Sequence, residues 1–159
     1  MAARSVVTGL VLTAAITVAI AGCGGGGAAR TPQLSSLPLP PGARVMTNVR
    51  QCNGGSNSYC AIELVVQGPG FRSSRALVLA ERDRLRAEGW VGASPTTGDQ
   101  LANESPHNKL RVTYSTAFED LKGADLGWIQ RSWPTVSALD GTLFNRGVAM
   151  SVLLETGSR

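Results

Sequence analysis

Histidine is nearly absent from this 159-residue chain, which has His107 and no other. A histidine-dependent hydrolase therefore has one possible general base. Cysteine is scarce as well, at three residues. Two thiols without a neighbouring histidine or third cysteine cannot close a zinc site. Lysine is rarer than arginine, which supplies thirteen of the fifteen basic side chains. The arginines are scattered, and with abundant Gly and Ala they reflect composition and not clustered phosphate chemistry. A net charge of +4 is too mild to name a partner. Aromatics number eight, few enough that a small core can absorb them. No internal repeat and no calcium-loop spacing is found.

What is present begins at the N-terminus. Arg4 precedes an uncharged apolar run, Val6–Ile20, which closes on Ile20-Ala21-Gly22-Cys23. A basic start, a short apolar core and small residues before a cut are the parts of a secretory signal. A spanning helix needs ~20 apolar residues. Here Gly24–Gly27 follow directly and offer lipid no side chains to hold.

Ile20-Ala21-Gly22-Cys23 resembles the lipobox of bacterial lipoproteins, [LVI]-[AST]-[GA]-Cys, at all four places. The resemblance implies a diacylglyceryl group, with palmitate-class chains, on the Cys23 sulfur and cleavage of residues 1–22. Two acyl chains suffice for stable anchoring, since each buried methylene contributes ~0.8 kcal/mol and one chain alone is marginal. The partner is then membrane lipid on the extracytoplasmic face, which makes nucleic acid an unsuitable one. Cleavage removes Arg4 and leaves 14 basic against 11 acidic side chains. With Cys23 acylated, Cys52 and Cys60 are the only possible disulfide pair, in a compartment that permits one. Two free thiols are the alternative.

Residues 23–41 read as the lipidated cysteine and a Gly/Pro tether, flexible and then extended. A single domain follows over 42–159. Val45, Thr47 and Val49 share one face against Arg44, Asn48 and Arg50, the pattern of a half-buried strand. Cys60, Ile62, Leu64 and Val66 alternate with Ala61, Glu63 and Val65 in a second strand, and the Gly-rich segment between reads as a hairpin loop. Residues 75–88 are strong helix formers, with Ser73 or Ser74 as cap and Gly89 as stop. Leu77, Val78 and Leu85 mark the buried side, a stripe that Glu81 blurs. Trp90-Val91 starts a short strand, with the tryptophan under the helix end. Residues 93–108 read as a polar loop. Leu110, Val112 and Tyr114 give a strand. Residues 117–133 are ambiguous, and a helix over 135–145 leads to a final strand on Val148, Met150, Val152 and Leu154, against Ser151 and Glu155. The order β-β-α-β-β-α-β predicts an α+β two-layer sandwich, a mainly antiparallel sheet with helices on one face.

Reactive constellations are weak throughout. His107 lies in Ser105-Pro106-His107-Asn108, where a solvated loop residue is ordinary, and Ser56 and Ser58 lack a nucleophile elbow. Glu119, Asp120 and Asp125 could serve as acid and base on a wall glycan or bind a divalent cation, but adjacent carboxylates in a Gly-broken segment are far more often a solvated face or a match to a helix-start dipole. Asp99 and Glu104 have no partner in the pattern. Trp128, Arg131 and Trp133, with Phe118, form either an exposed binding surface or the cap of a small core. Asn103-Glu104-Ser105 matches a glycosylation sequon, which carries no weight in a bacterial chain. No catalytic residue, metal ligand or cofactor is implied.

Taken whole, the acyl-Cys, Gly tether, two-cysteine hairpin and Gly-Trp helix end resemble uncharacterised lipoproteins of high-GC Gram-positive bacteria. The expected role is a non-catalytic envelope binding or interaction module, whose partner is an envelope protein or wall component. A small apolar-ligand or lipid carrier is the alternative, and an envelope hydrolase a more distant one.

Overall fold

The computed structural model describes residues 31–52, 59–93, 100–116 and 147–157. In chain order the strands are β1 (Arg44–Cys52), β2 (Tyr59–Gln67), β3 (Val91–Gly92), β4 (Leu101–Glu104), β5 (Arg111–Ser115) and β6 (Ala149–Gly157). One helix, α1 (Ser74–Ala87), lies between β2 and β3. The fold is α+β: a six-stranded antiparallel sheet in the order β1-β2-β6-β5-β4-β3, with α1 packed on one face. Among the described residues there is one α-helix where the sequence pointed to two. The second expected helix, over 135–145, and the ambiguous stretch 117–133 lie outside the described residues.

The last strand is central. β6 pairs with β2 from Tyr59↔Gly157 to Gln67↔Ala149, and with β5 from Arg111↔Glu155 to Ser115↔Ser151. The β1-β2 pair and the β5-β4-β3 strands therefore meet on β6.

Residues opposite one another across strands share a face. On the helix side, Ile62, Leu64 and Val66 of β2, Met150, Val152 and Leu154 of β6, and Val112 and Tyr114 of β5 meet Leu77, Val78 and Leu85 of α1. On the other side Ala61, Glu63, Val65, Thr113, Ser115, Ser151, Leu153 and Glu155 are buried as well. Ser151 and Glu155, read from alternation as the outward positions of the last strand, are thus interior. A strand covered on both faces no longer separates buried from exposed by parity.

The edge strand β1 keeps its alternation, half-buried and exposed residues in turn. It carries a bulge, however: Val45 pairs with Val66 and Thr47 with Val65, so Met46 is the extra residue. Val45 consequently packs towards the helix-side core, while Thr47 and Val49 sit opposite Val65 and Glu63 on the other face. The shared face read for these three residues is split by that insertion.

Helix α1 begins and ends as its sequence demands. The Ser73 Oγ accepts from the Ala76 N–H at 3.1 Å, satisfying one first-turn donor. Ser74 does a different job, its Oγ accepting from the Ala149 N–H at 3.1 Å and tying the helix start to β6. At the far end Gly89 adopts φ +81°, its N–H donates to Arg86 O and the Trp90 N–H donates to Leu85 O. These two bonds close a Schellman motif. They deliver Trp90 into the core beside Leu85, under the helix end as expected.

Two segments read as loop are more structured. Of the tether, residues from Pro32 onwards pack on the domain: Pro32, Leu37 and Pro40 are buried, and Leu34 and Leu39 lie against the core. The apolar residues in this proline-rich stretch show no period, which hid their burial. Within 93–108, Leu101–Glu104 forms β4, paired on both sides between β3 and β5.

Gly68, which follows β2, is pressed close by its surroundings. Its N–H donates to Val148 O at 2.9 Å, and a Cβ there would lie 2.6 Å from Phe71 Cδ2 and 2.8 Å from Leu77 Cδ1. Leu77 is fully buried and has nowhere to retreat. Gly68→Ala should therefore lower stability by about 1–3 kcal/mol, the cost of overpacking. A urea midpoint unchanged from wild type would contradict this packing.

Candidate functional site

Glu81 is the residue that the helix pattern leaves unexplained. Leu77, Glu81 and Leu85 follow one another at intervals of four, so they form one line along the inner side of α1. The middle position of that line carries a carboxyl group where an aliphatic side chain would fit. Its side chain is fully buried, and both carboxyl oxygens lack a hydrogen-bond partner among the described residues.

Two strand residues make the surroundings polar. Tyr114 on β5 is buried, and its hydroxyl donates to Asn103 Oδ1 on β4 at 2.7 Å. The Nδ2 of Asn103 is buried without an acceptor. Register puts Tyr114 opposite Leu101 and Asn103 opposite Val112, so the two polar residues are diagonal neighbours on the helix side of the sheet. Glu81, Asn103 and Tyr114 together form a polar group at the interface of α1 with β4 and β5.

The electrostatics follow from burial. Desolvation raises the Glu81 carboxyl from its ordinary 4.5 to about 8, with the Arg84 guanidinium opposing the shift. The Tyr114 hydroxyl is also pushed up, first by burial and then by the nearby Glu81 carboxyl, against Arg82 and Arg86. At neutral pH the group is therefore a neutral acid beside a neutral phenol and an amide. It can donate and accept hydrogen bonds.

The residues singled out from sequence fall elsewhere. Cys52 and Cys60 are bonded to each other across the end of the β1–β2 hairpin, their Cα atoms 4.0 Å apart. Glu104, read as a loop carboxylate without a partner, lies on β4 and pairs with Arg111 of β5 at 3.3 Å. Asn103 of the sequon is interior. His107 is exposed at the tip of the β4–β5 connection, in the left-handed region at φ 66°. The turn around it is closed by the Ser105 N–H donating to Leu110 O and the Leu110 N–H donating to Ser105 Oγ, both at 2.9 Å. Ser105 is thereby engaged with the backbone. Cys23, Ser56, Ser58, Asp99, Phe118, Glu119, Asp120, Asp125, Trp128, Arg131 and Trp133 lie outside the described residues.

Among the described residues no group of three or more His, Cys, Asp or Glu side chains could hold a metal ion. No helix there is long and apolar enough to cross a membrane.

No family model, curated protein or solved structure matches this chain. Of the polar group, Glu81 alone left a trace in the sequence, as the misfit in an otherwise aliphatic stripe. Asn103 left none, because β4 is short and lies in a turn-rich stretch.

Proposed function

We propose that this chain is a lipid-anchored protein of the bacterial envelope. Cys23 carries the diacylglyceryl group on the extracytoplasmic side of the cell membrane. The α+β domain is a non-catalytic module that binds an envelope protein or wall component. The observation that carries the location is Arg4, the apolar run to Ile20 and the Ile20-Ala21-Gly22-Cys23 sequence in their order. The Cys52–Cys60 bond supports it, because such bonds persist outside the reducing cytosol. A hydrolase would rest on His107, the one histidine of the chain, which sits at an exposed turn.

Pro32, which is buried on the domain, lies nine residue steps after Cys23. At ~3.3–3.6 Å per residue nine steps reach at most about 32 Å, so the domain works within that distance of the lipid headgroups.

The test is metabolic labelling with a radioactive fatty acid, together with mass analysis of the mature N-terminus. Wild type should carry label and begin at Cys23, and Cys23→Ala should lose the label entirely. Label retained by the variant, or a mature wild-type chain that still bears residues 1–22, would refute the anchor. Crosslinking in the intact envelope then tests the module: a defined crosslinked partner is the expected result, whereas turnover of wall glycan by the purified chain would overturn it.

A further inference from the structure

We propose that Glu81 makes the docking of α1 on the sheet proton-dependent: the helix is held while the carboxyl is neutral and released when it ionises. This reading stands on the interior of the domain and is independent of the anchor.

The first observation is position. Glu81 occupies the centre of the helix's inner line, between Leu77 and Leu85, and is fully buried with both oxygens unpartnered among the described residues. A charge there has the attraction of Arg84 but no hydrogen bond from the described residues, and burying a charge without one is among the costliest events in a protein interior. The second observation is what lies opposite. β6 presents Met150, Val152 and Leu154, β2 presents Ile62, Leu64 and Val66, and β5 adds Val112, all apolar. Of the titratable side chains among the described strand residues on this face, Arg50 lies exposed on the edge strand β1, opposite Ile62, and Tyr114 is buried with its hydroxyl committed to Asn103.

The remaining charges lie on α1 itself. Arg82 pairs with Asp83 at 2.9 Å and Arg84 with Glu88 at 2.8 Å, all on the solvent side of the helix. Arg86 is exposed. Arg84 attracts the carboxylate without making a hydrogen bond to it. Neutral Glu81 is therefore the compatible form of the docked helix. On ionisation the O–H bond breaks, its electron pair stays on the oxygen and the proton passes to water. The resulting carboxylate reaches water only if α1 lifts from β4 and β5.

The direction with pH follows from linkage. Glu81 binds its proton more tightly folded, at about 8, than at the ordinary 4.5. Its contribution to stability is complete below about 4.5, declines across the interval and is fully lost once pH passes about 8. Each pH unit in that window lowers the folded-to-unfolded ratio about tenfold, a total on the order of a thousandfold.

The experiment is urea unfolding of the mature chain from pH 5 to pH 9, for wild type, Glu81→Gln and Glu81→Leu, with amide exchange followed along α1. The wild-type ratio should fall about tenfold per unit relative to either variant, and α1 amides should lose protection ahead of those in β2. Should Glu81→Gln fail to fold, Glu81→Leu, which suits the aliphatic line, carries the comparison. Parallel pH profiles for wild type and the variants would overturn the proposal, as would a Glu81 carboxyl carbon resonance that titrates in the ordinary carboxylate range.

Discussion

Replacing Trp90 by Ala should lower the stability of the domain by about 3–5 kcal/mol, the usual cost of deleting a buried tryptophan. Whole domains of this kind have only about 5–15 kcal/mol in hand, so the variant should be near the edge of folding. The size follows from its place in the chain. Trp90 belongs to the main core together with Leu77, Leu85, Val112 and Tyr114. Its N–H donates to Leu85 O at 3.0 Å, which ties the ring's position to the helix end. Truncation would thus open a cavity where α1 meets the strands and remove the apolar contact that accompanies the Schellman turn. Urea unfolding followed by far-UV circular dichroism measures it, since that signal is independent of the lost indole. A loss below about 1 kcal/mol would mean that the ring does not fill this part of the core.

Removing the disulfide should cost roughly 2.5 kcal/mol on the chain-entropy account of so short a loop. Cys52 and Cys60 are eight residues apart and directly opposite each other at the end of the hairpin. The bond closes the hairpin between an edge strand and a fully buried one. Cys52→Ala/Cys60→Ala is the suitable pair of changes, because Cys60 is completely buried and a serine there would bury a hydroxyl. Wild type in reductant should match the double variant, and the double variant should not respond to reductant. An unfolding curve for wild type that ignores reductant would show that the bond does not contribute.

Sequence reasoning worked where an interaction is local. The Ser73 cap, the Gly89 stop and the Trp90 docking are set by neighbouring residues, and each is read correctly from residue type and order. The hairpin with its paired cysteines is equally local. Errors arose where a distant segment decides the environment. Leu37 looks like part of a spacer until the core it joins is in place. Glu155 and Ser151 look solvent-facing until β6 is placed between two neighbours. The partner of Glu104 is hidden from the local pattern because Arg111 belongs to the next strand.

The polar group beneath α1 shows the same division. Glu81 was visible as an irregularity of the helix stripe, since it shares a helix with the leucines that flank it. Asn103 and Tyr114 acquire meaning only through the pairing of β4 with β5, which brings hydroxyl and amide within 2.7 Å. By itself the sequence determined the helix with its ends, the hairpin and the α+β class, because each depends on residues close together along the chain. Tertiary structure alone decided the central place of β6, the bulge at Met46 and the burial of Glu81 among apolar strands. Those outcomes depend on which segments meet in space, and a burial cost is felt only once the covering surface is in place.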